Sequence, residues 1–449
     1  MGVPDHVIII GAGIFGISTA ISLATRYPNT KIDVVDRYEP PVPDGTSVDT
    51  TRCLRIDYKD PVYYELAYQA MEIIKADPDI SPFFHPCGMS FVYDGKKDRW
   101  EEIFRTGKIS AEKVNEGHPE KMIYTNNNAE VFKLIHGQNY EPKTPEELGR
   151  ESWWNKGYCN LSNGFIDAAK SMKAYYERAK TFDNICFTFK EVESISYHEG
   201  TNEAKGVKFI EGTTLLSDLV VVAAGAWSSK LVDLEGICKS SAIEVAWYKV
   251  TPQEEEQWKN MAITTNLSTG INTFPPYEGE IKILRRSAGY KNTVVVANPE
   301  PLSETKSVTI SYPRTLMTNP SDWIPQDAEH ALRENMKEIF PTLADRPFDR
   351  TKLCWLTQTP SANFLIDNHP KLKNVLMATG GSAHAWKFVS IIGDKVVDFM
   401  AGKLDPELVS KWSWKEKVEL SADTGSAPRM IGDSQEVTDT IRNSPFVSS

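Results

Sequence analysis

Near the start of the chain the apolar positions change rhythm within a few residues. Val7 to Ile10 form an unbroken β-branched run, the pattern of a strand buried on both faces. Gly11, Gly13 and Gly16 interrupt it, and the residues to about Ala24 take up helical spacing. KIDVVDRYEP then supplies a second strand that ends at Asp36, twenty residues after Gly16.

From Pro61 onward the pattern shifts. PVYYELAYQAMEIIKA spaces its apolar residues as an amphipathic helix, and GMSFVYDG reads as a strand ending in a turn. Residues 95–152 are charged, show no clear period and read as irregular. GFIDAAKSMKAYYERAK, residues 164–180, returns to helix. Short strands follow, then a buried run from Leu219 to Ala223 that leads into Gly225 and a helix. Between about 240 and 345, GEIKILRR, NTVVVA and SVTISY read as strands, with a helix near 326–340. Residues 374–403 repeat the order strand, glycine pair, helix.

These returns predict an α/β domain of Rossmann type assembled from residues 1–60, 150–235 and 350–412. An α+β substrate domain on a mixed or antiparallel sheet, from 61–149 and 236–349, interleaves with it. After about 412 the residues are polar and small, the composition of a disordered tail over 413–449.

Composition narrows the picture. The chain has 449 residues, 41% of them hydrophobic, and no stretch near the roughly 20 apolar residues of a membrane-spanning helix. A net charge of −11 argues against a nucleic-acid surface while leaving room for a local basic pocket. Six cysteines without a CxxC pair suggest neither a zinc site nor a disulfide framework, so no metal is expected. No secretory signal pattern precedes the first strand, and the last residues are not of the SKL type. A cytoplasmic protein is therefore expected ahead of a peroxisomal one.

Strand, glycine turn, helix, strand and terminal acid together make a dinucleotide-binding fingerprint. The glycines allow a tight turn and let backbone approach a pyrophosphate at the helix N-terminus. Asp36 is suited to ribose hydroxyls and disfavours a 2′-phosphate, which points to FAD or NAD rather than NADP.

Further motifs follow in order: TRCLR at 51–55, GFIDAAK at 164–170, VVVAAGAWSSKL at 220–231, GEIKI at 279–283, LCWLTQTPSANFLID at 353–367 and GGSAHAWKF at 380–388. With GAGIFG and Asp36, they make the chain resemble the FAD-dependent amine oxidases of the monomeric sarcosine oxidase type, over about residues 6–412. That group includes fructosyl amino acid oxidases (amadoriases), pipecolate oxidases and saccharopine oxidases. The resemblance implies a FAD-binding domain of the D-amino acid oxidase and glutathione reductase type, and a monomer. It assigns the FAD cradle to Gly11, Gly13, Ile14, Phe15, Gly16, Asp36, Arg37, Arg52, Gly225, Trp227, Cys354, Gly380, Gly381 and Lys387.

A lone cysteine is more often a small buried hydrophobe than a reactive group. In this family, however, a cysteine opening such a segment carries the flavin through a thioether, which makes Cys354 the expected tether. Lys282 on a strand would by itself be expected to face solvent. The resemblance puts it at the flavin, where a fixed cation stabilises the negative charge that develops on dioxygen. Arg55 and Lys387 match the family's carboxylate-binding pair, and a guanidinium fork meets a carboxylate bidentately. Together with Lys282 they are the expected catalytic residues, with Arg286 and Trp386 added for substrate.

The chain also departs from the family pattern. SAHAWK stands where SGHGFK is common, and Arg286 stands where sarcosine oxidases have a histidine. The retained TRCLR pair points away from a sugar-amine substrate, and a further cation at Arg285 or Arg286 suits a substrate with more than one carboxylate. The expected reaction is oxidation of a secondary-amine amino acid. Hydride passes from the substrate carbon to FAD, the imine hydrolyses and dioxygen becomes hydrogen peroxide. L-Saccharopine leads, ahead of N-methyl amino acids such as sarcosine, L-pipecolate and fructosyl amino acids. The rival of another class is a flavin dehydrogenase that passes electrons to a protein or quinone.

Overall fold

The computed structural model describes residues 2–414 and 433–446. Its first layer grows from the opening motif. Strand β1 (His6–Ile10) is followed by helix α1 (Ile14–Arg26) and strand β2 (Lys31–Asp36). The strand pairs in parallel with β2 on one side and with Leu219–Val222 on the other. The full sheet has six strands, in the order 365–368, 375–379, 219–222, β1, β2, 185–189, and the first of these runs antiparallel to its neighbour. Apolar runs suit these central strands because both faces are covered. On one face, α1 packs against the helix Ile392–Met400 so closely that a Cβ on Gly393 would lie 2.0 Å from the Ser18 carbonyl oxygen.

The second layer is a mixed sheet of ten strands. Its centre is the long strand Lys239–Lys249, flanked by Glu280–Arg285 and Arg350–Gln358, both antiparallel to it. The register sets Ile243 opposite Cys354, Val245 opposite Leu284 and Trp247 opposite Lys282. Because side chains alternate across a strand, Ile243, Leu284, Lys282, Cys354 and Leu356 share one face. Ala242, Glu244, Ala246, Ile281, Ile283, Arg285 and Trp355 share the other. The second face lies in the apolar cluster that includes Leu332, Met336 and Ile339 of the helix Gln326–Ile339. The first face is turned toward the six-stranded layer. A three-stranded sheet, Arg52–Leu54, Gly164–Ile166 and Phe84–His85, lies beside them.

The structure departs from the sequence reading at three places. The charged stretch 95–152 is not irregular: it holds helices Arg99–Val114 and Asn128–His136, each opened by a side-chain cap from Asp98 or Asn127. The short helix buries Val131, Phe132 and Ile135 and leaves Leu134 half-buried. Secondly, the helix expected from 164 begins at Ala168, where Asp167 caps it by accepting from the Lys170 N–H. Residues 164–166 are strand, and Gly164 is needed there because a Cβ would lie 2.2 Å from the His85 carbonyl oxygen. Thirdly, part of the expected tail docks. Residues 415–432 and 447–449 lie outside the described residues, but Gln435 and Glu436 pair with Tyr290 and Lys291. Val437 is 0% exposed and Ile441 packs against the same apolar cluster, so a few apolar side chains in a polar run seat the segment. Among the described residues, no helix is long and apolar enough to cross a membrane.

Candidate active site

Between the two layers runs a cavity of about 270 Å³. It starts at the turn Ile10–Phe15 and the end of β2, passes Gly45–Val48 and reaches Arg55, Asn272, Arg286 and Lys387. At the entrance backbone contact requires glycine at 11 and 16. A Cβ on Gly16 would lie 1.8 Å from the Gly11 carbonyl oxygen, and one on Gly13 would lie 2.8 Å from Ser47 Oγ. Gly13 is the N-cap of α1 and offers no capping side chain; Ser47 Oγ accepts from the Ile14 N–H at 3.1 Å instead. Asp36 accepts from the N–H groups of Ala12 and Arg37, both at 2.7 Å, and burial pushes its carboxyl up despite those bonds. Arg37 donates to Asp44 at 2.9 Å and stacks on Trp227 at 4.3 Å, and Arg37 and Trp227 line one wall.

The sheet face described above makes another wall, with Ile243, Asn272, Leu284, Cys354 and Leu356. Cys354 is 1% exposed, and Arg52 Nη2 lies 3.6 Å from its sulfur. Arg52 is itself fixed by the Thr46 carbonyl at 2.7 Å and by Asp49 at 3.0 Å. Gly225, Gly381 and Trp386 also line the cavity, and Trp386 Nε1 donates to the Ser47 carbonyl at 2.8 Å. Gly380 does not line it. With φ at 71° and Thr359 Cγ2 only 2.9 Å from a would-be Cβ, it shapes the turn instead.

Lys282 shares the cavity-side face but does not line the cavity. Its ammonium turns to Asp49 Oδ2 at 3.1 Å and to the Thr51 carbonyl, and lies 4.1 Å from the Phe274 ring centroid; Phe274 is the residue that lines the cavity. Burial lowers the pKa of Lys282 to about 8 against the pull of Asp49. Burial alone would raise Asp49, but Lys282 and Arg52 hold it well below the usual carboxylate range.

At the far end Arg55 and Lys387 come together. Arg55 is buried, donates to the Asp57 carbonyl and lies over the Tyr58 ring at 4.3 Å. Lys387 Nζ donates to the His384 carbonyl at 3.2 Å. Burial, then the positive charge of Arg55, pushes its pKa well below the ordinary lysine value. Arg286 lines the same space, whereas Arg285 points through the sheet to Glu244.

The residues fit the FAD expected from the resemblance. The start of α1, whose N-cap Gly13 has no side chain, the glycine cradle and the acid at the end of β2 meet the needs of a pyrophosphate and a ribose. Asn272 Oδ1 and Thr357 Oγ1, both in the lining, are buried without a hydrogen-bond partner among the described residues. Buried polar atoms are nearly always paired, so a ligand is the natural partner for them. Sequence reading missed Ser47, Thr46, Asp49 and Asn272. None sits in a glycine or cation motif, although Asp49 three residues before Arg52 was a readable charge pair.

Comparison with known proteins agrees with this geometry. A family model described as FAD dependent oxidoreductase (DAO) matches residues 6–399. The chain is 28% identical to an L-saccharopine oxidase of Schizosaccharomyces pombe, over 92% of this chain and 94% of the relative. It is 25% identical to a monomeric sarcosine oxidase of a Bacillus species, over 90% and 94%. The structure of fructosyl peptide oxidase from E. terrenum superimposes with a TM-score of 0.84 at 25% identity, covering 99% of this chain and 98% of that one.

Proposed function

Because the chain belongs to the FAD-dependent oxidoreductase family, we propose that it oxidises N-substituted amino acids, with L-saccharopine the leading substrate. The observation that carries the reading is the pair Arg55 and Lys387, two cations brought into one cavity with the glycine cradle and Cys354. The likeness to an L-saccharopine oxidase supports the leading substrate. A second reading, oxidation of fructosyl amino acids, draws on the likeness to fructosyl peptide oxidase.

FAD, when bound, supplies the two-electron acceptor for the carbon–nitrogen bond and passes the electrons to dioxygen. Arg55 holds the substrate α-carboxylate with a guanidinium that is pre-positioned over Tyr58 and stays protonated throughout. Burial and the Arg55 charge disfavour the Lys387 ammonium in the empty cavity, and an arriving carboxylate favours it. Trp386, held by its hydrogen bond to Ser47, narrows the cavity and excludes water beside the bound carboxylate. Cys354 is the tether for the cofactor, with Arg52 Nη2 3.6 Å from its sulfur. Lys282 keeps a positive charge next to Phe274 and promotes the reaction with dioxygen.

A peroxide-coupled screen of saccharopine, sarcosine, pipecolate and fructosyl-lysine tests the reading. Peroxide formed fastest from saccharopine supports it, and peroxide from fructosyl-lysine alone favours the second. Turnover only with an added quinone or protein acceptor would identify a dehydrogenase and overturn both.

A further inference from the structure

We propose that Arg286 selects substrates that carry a second carboxylate on the nitrogen substituent, so that the cavity prefers N-(carboxyalkyl) amino acids to N-alkyl ones. The inference rests on the amino-acid oxidase reading above and deepens it.

The strand Glu280–Arg285 decides which arginine faces the substrate. Its alternation sends Arg285 through the sheet, where Glu244, 0% exposed, meets its Nε and Asp327 lies 3.4 Å from its Nη2. Arg285 is thereby satisfied. Arg286 emerges on the opposite face beyond Leu284, its N–H fixed to the Gly270 carbonyl at 2.7 Å, and it lines the cavity. Among the described residues its guanidinium has neither an ion-pair partner nor a hydrogen-bond acceptor. A guanidinium cannot shed its charge to relieve that situation. Arg286 is half-buried, and an unpaired cation in a partly desolvated wall is costly unless an anion arrives to complete it.

The charge balance of this end of the cavity leads to the same ligand. Arg55, Arg286 and Lys387 line it, and no carboxylate side chain lines it beside them. The buried acid nearest in sequence, Asp57, accepts from Asn163 Nδ2 at 2.8 Å, acts on Arg55 and Lys387 from behind the lining, and leaves Arg286 without a carboxylate of its own. One α-carboxylate spans the Arg55 and Lys387 pair and leaves Arg286 over. A second carboxylate, separated from the first by the amine and a short chain, would meet it. A hydroxylated sugar would leave the charge uncompensated.

The test uses the flavin-loaded enzyme and two matched probes, N-(2-carboxyethyl)glycine and N-propylglycine. The wild type is expected to favour the dicarboxylate, and Arg286→Met to lower the ratio of the two kcat/KM values by ~30- to 3000-fold, the loss typical of a desolvated charge pair. Arg286→Lys should restore part of that ratio, because it keeps the charge and loses the fork. Calorimetric binding of the thioether analogues, in which sulfur replaces the NH, separates this inference from the reading beneath it. If the wild type oxidises neither probe yet binds the dicarboxylate thioether, and Arg286→Met does not, the anion site stands and the oxidase reading falls. An unchanged ratio in Arg286→Met overturns the proposal. Equal losses for both probes together with lower flavin content also overturn it, since the guanidinium would then serve the cofactor.

Discussion

Asp49→Asn should destabilise the protein far more than Lys282→Met, although the two side chains face each other at 3.1 Å and each is 2% exposed. The asymmetry follows from the third member, Arg52, which also binds Asp49, at 3.0 Å. One carboxylate balances a buried ammonium and a guanidinium that is 17% exposed. Lys282→Met leaves Asp49 with Arg52 and replaces an ammonium by an apolar chain of similar length. The site holds that ammonium poorly: burial lowers its pKa from 10.5 to about 8, equivalent to roughly 3 kcal/mol against the charged form. Asp49→Asn strands both cations, and breaking a buried pair from one side costs about 3–5 kcal/mol.

The pH dependence separates the variants further. Folded Lys282 binds fewer protons than unfolded Lys282 between about pH 8 and 10.5, so wild-type stability gains a contribution as pH rises through that window. Lys282→Met removes this contribution. In Asp49→Asn the lysine loses the carboxylate that raises its pKa, which falls further below 8. The defect is therefore largest in the mildly acid range, above the ordinary Asp pKa, and shrinks as pH rises toward 8. Thermal unfolding of flavin-loaded protein at pH 6 and pH 9, followed by tryptophan fluorescence, measures both effects. A Lys282→Met variant less stable than Asp49→Asn at pH 6 would refute the argument.

Lys282→Met should also slow flavin reoxidation by dioxygen about 10²–10³-fold while leaving anaerobic reduction nearly unchanged; equal decline of both half-reactions would give Lys282 another role. Cys354→Ser should release its flavin on acid precipitation, whereas wild type keeps flavin mass on the peptide containing Cys354. Quantitative release from wild type would contradict a tether. Gly16→Ala brings a Cβ to 1.8 Å from the Gly11 carbonyl oxygen, so flavin content should collapse. Gly225→Ala meets no atom within 4 Å and carries only the strain of φ at 53°, about 1–2 kcal/mol. Similar flavin content in both variants would mean that the turn at Gly11 is softer than its contacts imply.

Much of the nucleotide end was legible because its constraints are local. The β-branched run, the glycine spacing and Asp36 each act within a few residues of one another, and the structure brings them together at one cavity mouth. The strand pattern alone would let Lys282 face solvent, and only the resemblance placed it inward. The face it belongs to is covered by another layer, which a single strand cannot reveal. Helices Arg99–Val114 and Asn128–His136 were hidden by charge. Each buries a narrow stripe, two residues in the first case, and depends on capping by Asp98 and Asn127. Ser47 and Asn272 reach the cavity through long-range pairing, Ser47 to Ile14 and Asn272 across the sheet from Leu284. No motif marks such contacts. The choice between Arg285 and Arg286 likewise needed the structure, because it turns on Glu244 lying behind the sheet.

The central claim is that this cavity oxidises a carboxylated secondary amine with FAD. It is tested most directly by mixing the purified, flavin-loaded protein with saccharopine in the absence of oxygen and following visible absorbance. The account predicts rapid bleaching of the flavin, recovery of colour on admitting air with one peroxide per flavin, and loss of the bleaching in Arg55→Ala. A flavin that stays oxidised with saccharopine, sarcosine, pipecolate and fructosyl-lysine alike would contradict it.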